Sequence, residues 1–193
     1  MNSKNMAAFF DRLAPDWDNS PHEYEIREKL TSMMELSPNS VIADIGCGKG
    51  VMFEHLLKTN PAKIIAVDVS GEMLRLAKSI FSDERIEYIN ADFLTIELPV
   101  LDTAVIFNAY PHFCDKDALV KKLTQTVKTN GSVIIAHSRS RASINGTHTG
   151  ERASSLSVPL ENAVIEADKF STFFTADVLV DNDKMYFVKL IKR

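Results

Sequence analysis

Three glycines at alternate positions, in Asp44-Ile45-Gly46-Cys47-Gly48-Lys49-Gly50, carry the strongest chemical signal in this chain. They follow the apolar run Val41–Ile45 and precede a helical stretch at about 50–58. Glycines at such a junction let the backbone turn tightly and meet a ligand with no Cβ in the way. The N–H groups of the helix start can then hold a carboxylate or phosphate. A plain strand-to-helix turn would use the same residues, so the spacing has to decide. A dinucleotide fingerprint needs glycine at the first, third and sixth positions, and the sixth from Gly46 is Val51. A triphosphate loop needs Gly-Lys followed by Ser or Thr, and Gly48-Lys49 is followed by Gly50. Neither NAD nor ATP is favoured.

Two acids stand where a nucleoside would need them. Asp68 ends the run Ile64-Ile65-Ala66-Val67. A carboxylate there can accept from both ribose hydroxyls. It could instead cap the following helix through Ser70 and Gly71. Asp92, in Asn90-Ala91-Asp92-Phe93, could accept from an adenine amino group while Phe93 packs on the ring; otherwise it is a solvated loop carboxylate.

Groups able to move protons or bind anions cluster after two later strands. One stretch is Asn108-Ala109-Tyr110-Pro111-His112-Phe113. The other is His137-Ser138-Arg139-Ser140-Arg141, continuing to Asn145-Gly146-Thr147-His148. A histidine near neutral pKa suits a general base, and His112 ranks ahead of His137 and His148. None of the three sits at the helical spacings of a metal-ligand pair, so no metal is expected. Arg139, Arg141 and Arg152 could grip an anionic group. The surrounding segment 138–159 is polar and reads as one long loop, either functional or simply solvated.

Strands and helices must position these groups. Residues 6–13 and 22–35 look helical, joined by the turn-rich Ala14-Pro15-Asp16-Trp17-Asp18-Asn19-Ser20-Pro21. From residue 41, short apolar runs at 41–45, 63–67, 86–89, 103–107 and 132–136 read as strands. Helices are expected at 71–80 and 116–128 as well as 50–58. Such alternation implies a parallel sheet covered on both faces. Two β-rich runs, 173–180 and 185–191, then form an antiparallel hairpin. In an open sheet of this kind ligands bind beyond the carboxyl ends of the strands, where all the residues above fall.

Length and composition agree with one domain. The 193 residues are 45% hydrophobic and 25% charged. The formal charge of −4 argues against general attraction to nucleic acid or anionic membrane. No apolar run is long enough to span a membrane, and no signal peptide is visible, so a cytoplasmic location is expected. Cys47 and Cys114 make no disulfide framework. The sequons at Asn130 and Asn145 read as chance matches.

With these residues in place, Val41–Leu57 resembles motif I of the class I methyltransferases that use S-adenosylmethionine (SAM). Ala66–Ala77, Asn90–Thr95 and Leu101–Asn108 are similar to the motifs that follow it, in the same order. The terminal hairpin matches that fold as well. The resemblance implies a Rossmann-like, doubly wound, mostly parallel α/β sheet with an antiparallel C-terminal hairpin strand. It implies that Gly46, Gly48 and Gly50 meet the methionine part of the cofactor, and that Asp44 orients the loop and the methionine amino group. Asp68 would hold the ribose, Val69 and Met73 would flank the adenine, and Asp92 would hold its amino group beside Phe93. Asn108 closes the last of these motifs and joins the cofactor set. Lys49 departs from the small or uncharged residue usual in its slot.

The run Phe9-Phe10-Asp11-Arg12-Leu13-Ala14-Pro15-Asp16-Trp17-Asp18 looks like the opening of the ubiquinone/menaquinone methyltransferase-like branch, where it forms a helical lid. This gives a lid over residues 1–37 and a core over 38–193. The implied activity is methyl transfer to a small-molecule acceptor, and the position of the arginine-bearing loop after the fifth strand suggests an anionic group on it. Phe10, Trp17, Tyr110, Arg139 and Arg141 would face that acceptor, and a histidine would serve as base. Asn108 lacks the Pro-Pro-Tyr/Phe that follows in nucleic-acid amino methyltransferases, so no nucleic-acid partner is expected. The competing class is a SAM-binding module without transfer chemistry.

Overall fold

The structure, a computed structural model, describes residues 3–17, 23–147 and 156–193. Two helices, α1 (Ser3–Leu13) and α2 (Tyr24–Met34), precede the sheet. The chain then runs β1 (Val41–Ile45), α3 (Phe53–Lys58), β2 (Lys63–Asp68), α4 (Gly71–Ile80), β3 (Ile86–Asn90) and β4 (Leu101–Phe107). After a short 3-10 turn at Tyr110–His112 come α5 (Lys116–Thr126), β5 (Val127–His137), α6 (Arg141–Thr147), α7 (Ala163–Asp168), β6 (Phe174–Asp181) and β7 (Tyr186–Lys192).

The sheet has seven strands in the order β3-β2-β1-β4-β5-β7-β6. β1 pairs in parallel with both β2 and β4, so the chain reverses its direction of travel across the sheet at β1. That reversal opens a crevice at the carboxyl ends of β1 and β4. β7 runs antiparallel between β5 and β6, which makes the sheet Rossmann-like with one inverted strand.

Alternation along the strands builds two cores. Ala43, Ile45, Ile65, Val67, Ala104 and Ile106 face one side, where Leu119 and Leu123 of α5 and Ala163 and Ala167 of α7 cover them. Ile42, Ile64, Ala66 and Val105 face the other, under Leu30 and Met34 of α2, Phe53 of α3 and Leu74 of α4. A period of two with both faces apolar is what a strand buried on both sides requires. Side chains cap the helices locally: Ser70 accepts from Met73 N in α4 and Asp115 from Ala118 N in α5.

Several boundaries differ from the sequence reading. α3 begins at Phe53, because the glycine turn consumes residues 46–52. α5 stops at Thr126, and β5 starts at Val127, pairing with Leu101 before the ladder resumes at Ser132. Segment 138–159 is not one long loop: α6 occupies 141–147 and buries Ile144. The Asn145 amide accepts from Leu160 N at 2.8 Å and donates to Leu160 O at 3.0 Å, so it is committed inside the chain.

Candidate functional site

β1 carries Asp44 and Ile45 to the rim of the sheet, where the chain turns through Gly46 at φ +72° and Gly48 at φ +54°. A Cβ on Gly46 would lie 2.7 Å from the Ala109 Cβ, so the turn after β4 can approach only a glycine there. A Cβ on Gly48 would meet no atom nearer than Met73 Sδ at 4.0 Å. The backbone of Gly48 therefore faces open space, a cavity of about 630 Å³ that runs along the crevice. Gly50 has a different task. It is buried, does not line the cavity, and gives way to the Phe53 ring, which a Cβ would meet at 2.4 Å.

Two carboxylates stand behind the turn. Asp68 ends β2; its Oδ2 accepts from Gly48 N and its Oδ1 from Ser70 N, each at 2.8 Å. It fastens the glycine loop to the β2–α4 turn while lining the cavity. The capping side chain of α4 is Ser70 itself. Asp44 is 1% exposed, and its Oδ2 has no hydrogen-bond partner among the described residues. Burial, and then the Asp68 charge, push its pKa up to about 7. A buried carboxylate with an unsatisfied oxygen in a cavity wall is suited to receive a cation.

Further along the crevice, Val69, Met73, Asp92 and Phe93 line one wall. Asp92 Oδ1 accepts from Leu94 N at 3.0 Å, which fixes the carboxylate on its turn. Asn108 also lines the cavity, at φ +53°. Its amide spans to the residue after β5, accepting from Ser138 N and donating to Ser138 Oγ, both at 3.1 Å.

The acceptor side is built from the rims of β4 and β5 and from α1. His112 lines the cavity on its 3-10 turn, and Nδ1 lies 3.0 Å from Leu156 O. A carbonyl only accepts, so Nδ1 is the donor of this pair. Phe10 of α1 packs edge-on against that ring, and Trp17 against Phe10. His137 ends β5, 2% exposed, against the Tyr186 ring, and lines the same cavity, as does Arg139. The structure thus brings His112, His137, Arg139, Phe10 and Trp17 to one cavity with the glycine turn.

Two residues assigned to the acceptor lie elsewhere. Tyr110 is fully buried below the rim, and its hydroxyl donates to Glu166 Oε2 at 2.7 Å. It is a core side chain that anchors the turn under His112. Arg141 pairs with Asp181 of β6 at 2.8 Å and does not line the cavity. His148 and Arg152 lie outside the described residues.

Sequence reasoning missed Arg27 and Glu23. Both line the cavity, Arg27 from α2 and Glu23 from the residue before it, and Arg27 is only 7% exposed. Glu23 Oε2 accepts from Ser138 Oγ at 2.6 Å and stands 3.7 Å from Arg27. Arg27 also bears on His55 of α3, lowering its pKa behind the larger effect of burial. Arg27 thus brings a buried positive charge to the cavity wall. An acid and a base four residues apart on a helix read as a surface pair; only the closure of α2 over the sheet reveals otherwise.

The comparisons with known proteins agree with this geometry. Residues 42–131 match a family described as the methyltransferase domain. A malonyl-[acyl-carrier protein] O-methyltransferase of Acetivibrio thermocellus is 30% identical over 136 residues, 68% of this chain and 48% of that protein. A ribosomal RNA small subunit methyltransferase A of Mycoplasma mycoides is 26% identical over 101 residues, 49% of this chain and 38% of it. The chain spans about half the length, or less, of these curated relatives. Among solved structures, the N-methyltransferase NodS of Bradyrhizobium japonicum with S-adenosyl-L-homocysteine superposes at a TM-score of 0.73 and 15% identity, covering 97% of this chain and 98% of its own. Residues 42–131 are therefore similar to a methyltransferase domain, and the strand order with its inverted β7 and the glycine turn facing the crevice give the chain the fold of the solved methyltransferases on which it superposes.

Proposed function

We propose that this chain transfers the methyl group of SAM to a small acceptor carrying an anionic group, bound beneath α1, with His112 as general base. The observation that carries the reading is the buried Asp44 Oδ2, unpartnered among the described residues, in the wall of the cavity lined by Gly46, Gly48 and Asp68. Leaving such an oxygen without a donor is costly, and the methionine amino group is a cation of the right kind to meet it. Asp68 would take the ribose, Val69 and Met73 would flank the adenine, and Asp92 would accept from it.

When bound, SAM supplies a methyl group made electrophilic by its sulfonium. The chain's own residues supply alignment, a dry pocket and a place for the acceptor's proton. The Leu156 carbonyl accepts from His112 Nδ1 and so orients the ring at the cavity wall. Residues 1–37 serve as the lid and 38–193 as the core, with Phe10 and Trp17 excluding water. Arg139 lies where an acceptor anion would be gripped. The relative from Acetivibrio thermocellus is named for O-methylation of a malonyl group, an anionic acceptor, which supports that half of the reading.

The formal charge of −4 and the roof of α1 favour a small acceptor over RNA. No helix among the described residues is long and apolar enough to cross a membrane, and free Cys47 and Cys114 suit a reducing compartment such as the cytoplasm. Binding without transfer would use the same cofactor wall. Incubation with methyl-labelled SAM and pools of small anionic acceptors separates the two: label moves into a small product if this reading holds. Label retained in SAM across all pools, with tight cofactor binding, would favour the binding module.

A further inference from the structure

One turn of α1 touches both halves of the cavity. Phe10 meets His112 with ring centroids 5.0 Å apart. The next residue, Asp11, reaches the start of α4. Its Oδ1 accepts from Ser70 Oγ at 2.6 Å and from Glu72 N at 3.1 Å. Ser70 Oγ in turn accepts from Met73 N at 3.1 Å, and Ser70 N donates to Asp68 Oδ1 at 2.8 Å. A carboxylate on one helix thus supplies acceptors to the free N–H groups that begin another, where negative charge is favoured. The contact holds α1 against α4 and runs, through a single serine, to the Asp68 carboxylate.

We propose that Asp11 is a positioning residue for the cofactor: through Ser70 it fixes Asp68 and latches α1 over a filled ribose site. This rests on the reading of Asp68 as the ribose acceptor. Asp11 and Asp68 approach the same turn, and their like charges oppose closure. Burial, with the Asp11 charge behind it, holds the Asp68 carboxyl above its usual range against the N–H donors of Ser70 and Gly48. Ribose hydroxyls would bring further donors to Asp68 and ease that opposition. Closure of the latch and occupancy of the ribose site therefore favour each other, by the same factor in both directions. A cofactor reaches the open site without needing Asp11, but leaves the closed one only after Asp11 releases Ser70. The contribution of the latch belongs to the dissociation rate.

Stopped-flow binding of S-adenosylhomocysteine to the full chain tests this. Asp11→Ala should raise the dissociation rate about tenfold with the association rate changed by less than about twofold. Asp11→Asn keeps an oxygen in the same place and should restore most of the slow dissociation. In the double variant Asp11→Ala/Ser70→Ala the two effects should add to less than their sum, since the Asp11–Ser70 contact they share is lost only once. Asp11→Ser, too short to reach Ser70, repeats the test if the alanine variant loses its fold. An unchanged dissociation rate in a folded variant, or fully additive effects, would overturn the proposal while leaving the cofactor reading intact. Failure of the wild-type chain to bind S-adenosylhomocysteine would overturn both.

Discussion

Asp44 at the end of β1 and Asp68 at the end of β2 face one cavity, and the Asp68 charge adds to burial in raising the Asp44 pKa to about 7. The two carboxylates differ in support. Asp68 holds two backbone donors, whereas Asp44 Oδ2 has none among the described residues. Asp44 is therefore the group that gains most from a cation.

The first prediction follows from that asymmetry. In the free protein Asp44 is largely protonated below pH 7. A cationic ligand needs it ionised, so binding of S-adenosylhomocysteine should tighten as pH rises from about 6 to 8 and release roughly half a proton at pH 7. Calorimetry in buffers of different ionisation heat measures this directly. Asp44→Asn should bind more weakly and lose the proton release. The stability of the free protein carries the opposite sign. The folded pKa lies above the unfolded value of 3.8, so the folded state holds the extra proton between those values. Asp44 should then make the free protein less stable as pH rises from about 4 to 7, and the cofactor should offset that loss.

Arg27 gives the second prediction. It is a buried cation in the wall of the cavity that the glycine loop also lines, suited to receive the methionine carboxylate. Arg27→Met should weaken S-adenosylhomocysteine by roughly 10–100-fold, the worth of a charged hydrogen bond. 5′-Methylthioadenosine, which lacks the amino-acid part, should bind wild type and variant alike. Equal losses for both ligands would mean that Arg27 supports the fold and does not read the carboxylate.

The third concerns the base. With an acceptor in hand, His112→Ala should lower turnover by about 10²–10⁴-fold and leave cofactor affinity nearly unchanged. A variant as fast as wild type would show that the acceptor needs no deprotonation by this residue.

The fourth checks a residue moved from the site to the core. Tyr110→Phe removes a buried donor to Glu166, which still receives Lys169 Nζ at 2.8 Å and Glu161 N at 3.0 Å. Thermal unfolding should show a loss of about 1–3 kcal/mol with cofactor affinity intact. A cofactor or acceptor defect without a stability loss would return Tyr110 to the site.

The sheet was legible because β1, β2, β4 and β5 are apolar on both faces and break at polar residues or glycine on a single rim: Gly46, Asp68, Asn108 and His137. The cofactor wall was legible for the same reason, since Gly46, Gly48, Asp68 and Asp92 sit at strand ends. α6 and α7 were not, because each is a short helix with little buried apolar surface: α6 buries Ile144, and α7 buries Ala163 and Ala167 while Val164 and Ile165 face solvent. Tyr110 looked like a rim aromatic until its partner Glu166, 56 residues away, came into place. Arg27 was hidden in the opposite sense, as an ordinary helical acid–base pair that the fold turns inward.

Titration calorimetry with S-adenosylhomocysteine and, separately, NAD tests the central claim most directly. The account predicts saturable one-to-one binding of S-adenosylhomocysteine, weakened by roughly 10–100-fold in Asp68→Asn, and no heat with NAD. Saturable binding of NAD with none of S-adenosylhomocysteine would contradict it.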